Sequence, residues 1–396
     1  MSLHRYSVEN VFRVNSVVNI FLDLVKDFRK HQLDEPDCRG LLTNEEDWET
    51  LYQYLEMLAQ QVMAILRTEP KILRLAGPIY VLGDLLGSLR DLFQFESHLF
   101  RGTAVVPHTL LFLGNYTGSA YSYGFECIVY LLALKIYSPN KIYLLRGRNE
   151  MRAFNRTHFR TELHEKYGGD YSERIYELIN KVFDCLPVAA IIEETILATH
   201  SGIPRMRTGK KLLSTVDAMY QEPKYVELDN PKETMPIAYE VTNFAKRKWL
   251  QPIIRLFFFQ MMVNIPIKYA DKSEASGEES RGQDFIVSKT GDYHYFNRKA
   301  FGAFMAINHF DFFIRSHNPC EEGYALCFTN RCLTVFSCRK VAKTTLPNTC
   351  VAFLSDSKRN IRFVRFNTKD GERSTSSAQK TSRRPLDAQP NSNKAK

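Results

Sequence analysis

The segment from Ile72 to Glu150 alternates short apolar runs with longer amphipathic stretches, and this alternation constrains the fold more than any other feature. Apolar strands separated by helical patterns are typical of a largely buried α/β sheet. The runs at Ile79–Asp84, Thr109–Leu113 and Lys141–Leu145 each lead into a turn of glycine and a polar residue. Because glycine permits a sharp turn at the carboxyl end of a strand, where such sheets place their chemistry, the pattern predicts three polar turns that converge on one site.

Composition and charge narrow the class of protein. A chain of 396 residues with 44% hydrophobic content can bury a substantial core. The formal net charge of +9 lies partly in the tail, so we expect weak attraction to acidic partners at most, and no aromatic-basic motif supports nucleic-acid binding. No apolar run approaches the roughly 20 residues that span a bilayer, and the N-terminus lacks a signal-peptide core. We therefore expect no membrane association and a cytoplasmic and/or nuclear location.

Five of the eight cysteines crowd the C-terminal third, at Cys320, Cys327, Cys332, Cys338 and Cys350. None belongs to a C-x-x-C pair, and their spacing is not that of a zinc finger. We therefore expect ordinary reduced cysteines in a strand-rich region.

The pattern predicts three parts of the chain. Residues 1–70 are expected to be the N-terminal helical part, with a long amphipathic helix over Glu46–Leu66. Residues 71–367 form the core, with a mobile insertion near 268–290, and residues 368–396 are a disordered polar tail. Beyond Gly147 the periodicity predicts further helices and strands: helices at Arg156–Tyr167, Tyr171–Phe183 and Lys299–Phe313, a strand pair within Val188–Ile203, and strands at Ala325–Phe328, Leu333–Ser337, Val351–Ser355 and Ile361–Phe366.

Five short motifs occur in an order and spacing that resemble those of the metal-dependent phosphoprotein phosphatases, the calcineurin-like Ser/Thr phosphatase family. They are similar to the family's GDxHGQ, GDxxDRG, GNHE, HGG and RAH and lie at Gly83–Ser88, Gly114–Ala120, Gly147–Glu150, Thr199–Gly202 and Arg315–His317. The resemblance runs from about Val17 to Phe366 and is closest to the type-1 protein phosphatase branch. It implies an α/β calcineurin-like metallophosphoesterase fold, with a central β-sandwich of mixed sheets flanked by helices.

The resemblance also implies six metal-ligand positions, because the family reaction uses two divalent ions that hold an attacking water. Three positions keep a ligand: Asp84, His200 and His317. The other three are replaced: Leu86 stands for a histidine, Asn115 for the bridging aspartate and Arg148 for an asparagine. Leucine offers no lone pair and an amide supplies no negative charge. We therefore expect no cofactor, or at most a weakly bound manganese, iron or zinc ion at a degenerate site of Asp84, Asn115, His200 and His317.

Arg148 is the most consequential replacement, because a guanidinium stays protonated and places a positive charge near a metal position. At about 4 Å and an effective dielectric near 20, its repulsion of a dication is roughly 8 kcal/mol. Arg148 could instead pair with Asp84, bind a phosphate, or turn out to solvent beside an intact metal site.

The acid–base and phosphate-binding positions have changed as well. Asn149 stands where the family's histidine protonates the leaving group, and Gly118 stands where an aspartate orients that histidine, so no catalytic residue is intact. Loss of a general acid typically costs about 10²–10⁴ in rate. Ser119 replaces a phosphate-binding arginine, and Arg281 is a second candidate for phosphate binding.

These observations predict a Ser/Thr phosphatase-like protein that is a catalytically inactive or impaired pseudophosphatase and acts by binding protein partners of the regulatory-subunit type. One alternative is a weak metal-dependent Ser/Thr phosphatase. Another is a phosphate- or phosphopeptide-binding module that uses Arg148, in which case phosphoproteins are partners.

Overall fold

The computed structural model describes most of the chain, in nine segments. These are residues 16–32, 41, 45–100, 108–118, 123–205, 250–270, 284–342, 344–355 and 360–367. The predicted tail at 368–396 lies outside the described residues, as does most of the predicted insertion, since only 268–270 and 284–290 of it are described.

The described segments contain helices on the outside and short strands within. The helices are α1 (Ser16–Gln32), α2 (Trp48–Leu66), α3 (Leu89–Phe95), α4 (Gly124–Tyr137), α5 (Arg152–Asn155), α6 (Phe159–Tyr167), α7 (Gly169–Cys185), α8 (Leu250–Val263) and α9 (Arg298–Ile307). The strands are β1 (Ile72–Leu75), β2 (Ile79–Leu82), β3 (Thr109–Phe112), β4 (Ile142–Leu144), β5 (Ala189–Ile192), β6 (Ile196–Thr199), β7 (Ile265–Pro266), β8 (Phe285–Val287), β9 (His294–Phe296), β10 (Phe312–Arg315), β11 (Tyr324–Cys327), β12 (Cys332–Val335), β13 (Lys340–Val341), β14 (Thr344–Thr345), β15 (Asn348–Leu354) and β16 (Ile361–Asn367).

Two mixed sheets form the centre of the molecule. One has the strand order β1-β5-β6-β10-β12-β11 and the other β16-β15-β2-β3-β4. In the second sheet β2, β3 and β4 run parallel, whereas β15 is antiparallel to both of its neighbours. The expected mixed-sheet sandwich is therefore confirmed.

Apolar side chains fill three layers. Residues of both sheets, such as Val81, Leu111, Ala190 and Ile314, form the layer between the sheets. A second layer packs the outer face of the five-stranded sheet against the N-terminal helices and α4, α6 and α7. A third layer, the outer cluster, packs the six-stranded sheet against α8 and α9 through residues such as Phe258, Phe301 and Phe313. Because both faces of both sheets are covered, the strands read as continuous apolar runs.

Most of the predicted elements are present, but one predicted helix is wrong. The helix expected over Lys299–Phe313 ends at Ile307, and Phe312 begins the central strand β10. His309 has a φ of 57° and ends the helical run. The apolar residues that follow continue the helical spacing by chance, since a short buried strand cannot be told from a helix by periodicity alone. Within the described residues, no helix has the length and apolarity that a membrane crossing requires.

Candidate active site

The predicted convergence of the three polar turns is present, and Glu150 holds two of them together. Its buried carboxylate accepts the backbone N–H groups of Asn115 (2.8 Å), Tyr116 (2.9 Å) and Gly147 (2.9 Å). A Cβ at Gly114 would lie 2.4 Å from the Gly147 nitrogen, so the turns meet where only glycine fits. Burial raises the pKa of Glu150 to about 7, against the opposing effect of the three N–H donors. Glu150 therefore has an architectural role.

Asp84 follows β2 and is buried with both carboxylate oxygens hydrogen-bonded. Oδ1 accepts the Ser316 hydroxyl at 2.5 Å and the His317 backbone N–H at 2.9 Å. Oδ2 accepts the Asn115 amide group at 2.8 Å. The Ser316 hydroxyl also accepts the Asp84 backbone N–H. Ser316 was missed from the sequence, although a serine within the motif that resembles RAH, where the family has alanine, is a visible signal.

The Asn115 side chain is oriented from both ends. Its Oδ1 accepts the backbone N–H of Asn149 at 2.8 Å, so its Nδ2 group is the end that faces Asp84. Asn149 is held in turn, because its own Nδ2 donates to the carbonyl of Thr117 at 2.7 Å. An amide nitrogen has no lone pair for a metal. The bridging position therefore presents a hydrogen-bond donor toward Asp84 where the family has a carboxylate.

His200 and His317 lie at the ends of β6 and β10 and bond to each other. His200 Nδ1 lies 3.0 Å from the Leu113 carbonyl, which can only accept, so this nitrogen carries the proton. His200 Nε2 is then the acceptor for His317 Nδ1, at 3.2 Å. Burial, with the charges of Arg315 and Arg148, lowers the pKa of His200 to about 4 and that of His317 well below its ordinary value. Both rings are therefore neutral near pH 7.

Arg148 is half-buried and lies beside the site, stacked on a ring and not paired with Asp84, which was one of the alternatives above. Its guanidinium stacks on the Phe154 ring, with the Cζ atom 4.3 Å from the centroid. Burial lowers the pKa of Arg148, and Asp292 and Tyr293 partly oppose this. Its charge reaches both histidines, whose pKa values it depresses. Arg148 is also not turned fully to solvent, which was another of the alternatives.

Leu86 and Gly118 replace two chemically active residues and contact each other. Leu86 has a φ of 48° and packs against the small cluster of Phe336 and Cys338. A Cβ added at Gly118 would lie 3.0 Å from both Cα and Cδ2 of Leu86. The two replacements therefore fit each other sterically, and an aspartate at 118 would require Leu86 to move.

The remaining predicted positions contribute structure or lie outside the described residues. Ser119 and Arg281 are both outside. Ser337 accepts the backbone N–H of Gly83 at 2.8 Å, and Arg339 bonds to the buried carboxylate of Asp91 at 2.6 Å. The segment that follows β12 thus ties the two sheets together.

The metal-ligand atoms of this site can be compared with those that a two-metal centre requires. Among the described residues, one group of at least three His, Cys, Asp or Glu side chains has its ligand atoms close together: those of Asp84, His200 and His317 lie within 4.8 Å of one another. Three ligands could hold at most one ion such as zinc, with water in its remaining position. The side chains at 86, 115 and 148 supply an apolar group, an amide donor and a cation. These residues do not fit a pair of divalent ions.

Comparisons with known proteins agree on one family. The profile of the calcineurin-like phosphoesterases matches residues 77–321. The chain is 27% identical over 282 residues to the Ser/Thr phosphatase PP2A-like PPG1 of Saccharomyces cerevisiae, covering 71% of this chain and 66% of that protein. It is 29% identical over 309 residues to the Ser/Thr phosphatase 6 catalytic subunit of Drosophila melanogaster, covering 77% and 81%. The aligned region thus spans slightly less than two thirds of the first relative's length.

A solved structure supports the fold. The Saccharomyces cerevisiae Ser/Thr phosphatase with similarity to human phosphatase PP5 superposes with a TM-score of 0.60. It has 21% sequence identity, and the superposition covers 80% of this chain and 90% of that chain. At this identity the likeness concerns the fold.

Proposed function

Because this chain belongs to the calcineurin-like phosphoesterase family yet replaces half of the implied ligand positions, we propose that it is a pseudophosphatase that acts by binding protein partners. The observation that carries this proposal is the orientation of Asn115. Its amide Nδ2 donates to Asp84 at 2.8 Å, so the position that should bridge two cations presents an N–H group to the remaining carboxylate. A cation there would meet a partial positive charge and lose the bridging oxygen.

The other kept ligands are engaged with protein groups in a way that supports the same proposal. Asp84 accepts three hydrogen bonds, including one from the Ser316 hydroxyl. The Nε2 lone pair of His200 accepts from His317. A metal would have to displace these bonds and overcome the nearby charge of Arg148, and each displaced bond to a charged group costs about 1.5–3 kcal/mol. The network satisfies these buried polar groups with protein atoms alone.

A binding role is also consistent with the relatives. Two of them, from Drosophila melanogaster and Caenorhabditis elegans, are named catalytic subunits, a term that implies assembly with other chains. A homologue that keeps the fold but lacks the catalytic residues can bind such partner proteins through its surface. The type-1 branch, the domain boundaries and the cellular location remain predictions.

The phosphate-binding alternative has less support. Arg148 lies on the Phe154 ring, and Arg152 bonds to the buried Asp184 carboxylate at 2.9 Å. The charge of Arg152 is therefore already paired with a buried carboxylate, whereas the stacked Arg148 keeps its in-plane N–H donors and would have to bind a phosphate largely alone. The weak-phosphatase alternative requires one metal on Asp84, His200 and His317, and the same experiment tests it.

The experiment compares hydrolysis of a generic phosphomonoester, with and without added manganese, by the full chain and a fourfold variant. The variant restores the implied residues: Leu86→His, Asn115→Asp, Arg148→Asn and Asn149→His. We expect wild type and Arg148→Asn alone to stay at background, and the fourfold variant to gain metal binding and detectable turnover that Gly118 and Ser119 still limit. Robust turnover by wild type or by Arg148→Asn would contradict the proposal. A folded fourfold variant without metal would overturn the residue assignment.

A further inference from the structure

The hairpin of β11 and β12 places two cysteines directly opposite each other. Cys327 ends β11 and pairs with Cys332, which begins β12, in antiparallel register. β11 is the edge strand of the six-stranded sheet. Opposed residues of antiparallel strands have Cα atoms about 4.5–5.5 Å apart, and disulfides accept about 4.4–6.8 Å. A disulfide between the two therefore requires no change in strand pairing.

The two thiols also share one face of the sheet. Leu326 and Leu333 point into the layer between the sheets, so their neighbours point to the opposite face. There Cys332 is buried within the outer cluster, and Cys327 is half-buried against the same cluster. Each thiol also affects the pKa of the other, as expected of two sulfur atoms that face each other. Register and side-chain direction thus bring the sulfur atoms together.

The surroundings make the two thiols chemically different. The neighbouring Cys332 thiol, with the charges of Lys268 and Arg315, lowers the pKa of Cys327, against the opposing effect of burial. Burial raises the pKa of Cys332 well above its ordinary value. Lys268 is held in place by its bond to the carbonyl of Leu326 at 3.2 Å. The half-buried thiol therefore ionises more readily than the buried one, and the thiolate is the nucleophile.

A soft-metal site does not explain the pair. Cys320 is the nearby third thiol, but the grouping of possible ligands within the described segments contains no cysteine set of three. Cys320 donates instead to the carbonyl of Asn318. Two thiols without a third ligand suit disulfide chemistry better than metal binding.

We propose that Cys327 and Cys332 are a peroxide-sensitive redox pair that closes a disulfide across the β11–β12 hairpin. The Cys327 thiolate attacks hydrogen peroxide, breaks the O–O bond and becomes a sulfenic acid as hydroxide leaves. The Cys332 sulfur then attacks the Cys327 sulfur, and the sulfenic oxygen leaves as water with the Cys332 proton. The two cysteines lose two electrons, peroxide gains them, and a thiol reductant reverses the change.

The test exploits Arg331, which lies between the two cysteines and lets trypsin place them in different peptides. The full chain is treated with hydrogen peroxide, its remaining thiols are alkylated under denaturing conditions, and the digest is analysed by mass spectrometry. A Cys320→Ser, Cys338→Ser variant leaves one cysteine in each of the two peptides and serves as the matched control. We expect the two peptides to be joined by a reducible link in wild type and in this control.

A second variant tests whether Cys327 reacts with peroxide and Cys332 then resolves the product. In Cys332→Ala, Cys327 has no resolving partner, so we expect peroxide to drive it to the sulfinic acid, which wild type avoids. The proposal is overturned if Cys332 stays fully alkylated in oxidised wild type, or if the link forms through Cys320 or Cys338. It is also overturned if Cys327 resists peroxide in both proteins. These outcomes do not depend on whether the chain hydrolyses phosphate.

Discussion

Glu150 joins the turns after β3 and β4, and replacing it with glutamine tests whether protein hydrogen bonds hold the site together. Oε2 accepts the N–H groups of Asn115 and Gly147, and Oε1 accepts that of Tyr116. A glutamine oxygen can keep the first two bonds, but its NH₂ group then faces the N–H of Tyr116. One charge-assisted bond is lost and two buried donors confront each other, while removal of the charge relieves part of the desolvation that raises the pKa of Glu150, so we expect Glu150→Gln to destabilise the chain by about 1–3 kcal/mol.

The assay is urea unfolding followed by far-UV circular dichroism at pH 8, above the pKa of about 7, so that the wild-type carboxylate is ionised. The matched control is Glu194→Gln, which changes a carboxylate whose side chain is 72% exposed and paired only at the surface with Arg74. This control should stay within about 0.5 kcal/mol of wild type. A Glu150→Gln free energy of unfolding equal to that of the control would refute the reasoning.

Three further predictions concern metal, pH and packing. A chelator should leave the melting temperature of the purified chain unchanged, because nothing bound to the native state is removed, and a downward shift would reveal a bound ion. Burial and the charge of Arg148 lower the pKa of His158 from its ordinary value of 6.5 to about 4. The stabilisation that neutral His158 gives the folded chain is therefore complete above about pH 6.5 and is lost as the pH falls toward 4. Between pH 7 and 5 the wild type should therefore lose about 1–2 kcal/mol more unfolding free energy than His158→Gln, whereas parallel curves would contradict this. Gly118→Ala should cost about 1–3 kcal/mol through its contacts with Leu86. Leu86→Ala removes the Cδ2 contact and leaves those to Cα and Cβ, so the cost should fall only in part in that background, and equal costs in a double-mutant cycle would show that the Cδ2 contact is immaterial.

The sequence predicted the fold well where local pattern and tertiary structure agree. The runs that end at Asp84, Asn115 and Gly147 are parallel strands whose carboxyl ends meet, as their turns indicate. The strand pair predicted within Val188–Ile203 is also confirmed as β5 and β6, and the turn between them has Glu193 and Glu194 at positive φ. Strand β10 was assigned to the preceding helix because the helix-stop signal of Asn308, directly after Ile307, was overlooked within a continuous apolar pattern.

The sequence predicted which residues lie in the candidate site, but not the hydrogen bonds and ring contacts that they make. Motif matching assigns Asp84, His200 and His317 to one place, and the structure brings them together. It could not give the orientation of the Asn115 amide, which depends on the Asn149 backbone, or the stacking of Arg148 on Phe154. Such contacts join residues from different turns, and their geometry follows only from the packed fold.

The central claim is that the retained metal-ligand residues form hydrogen bonds with protein groups and hold no catalytic metal. The most direct measurement is elemental analysis of the purified full chain for manganese, iron and zinc, paired with phosphomonoester hydrolysis against a metal-free control. We expect metal far below one ion per chain and hydrolysis at the control rate. Stoichiometric metal together with turnover above the control would contradict the account.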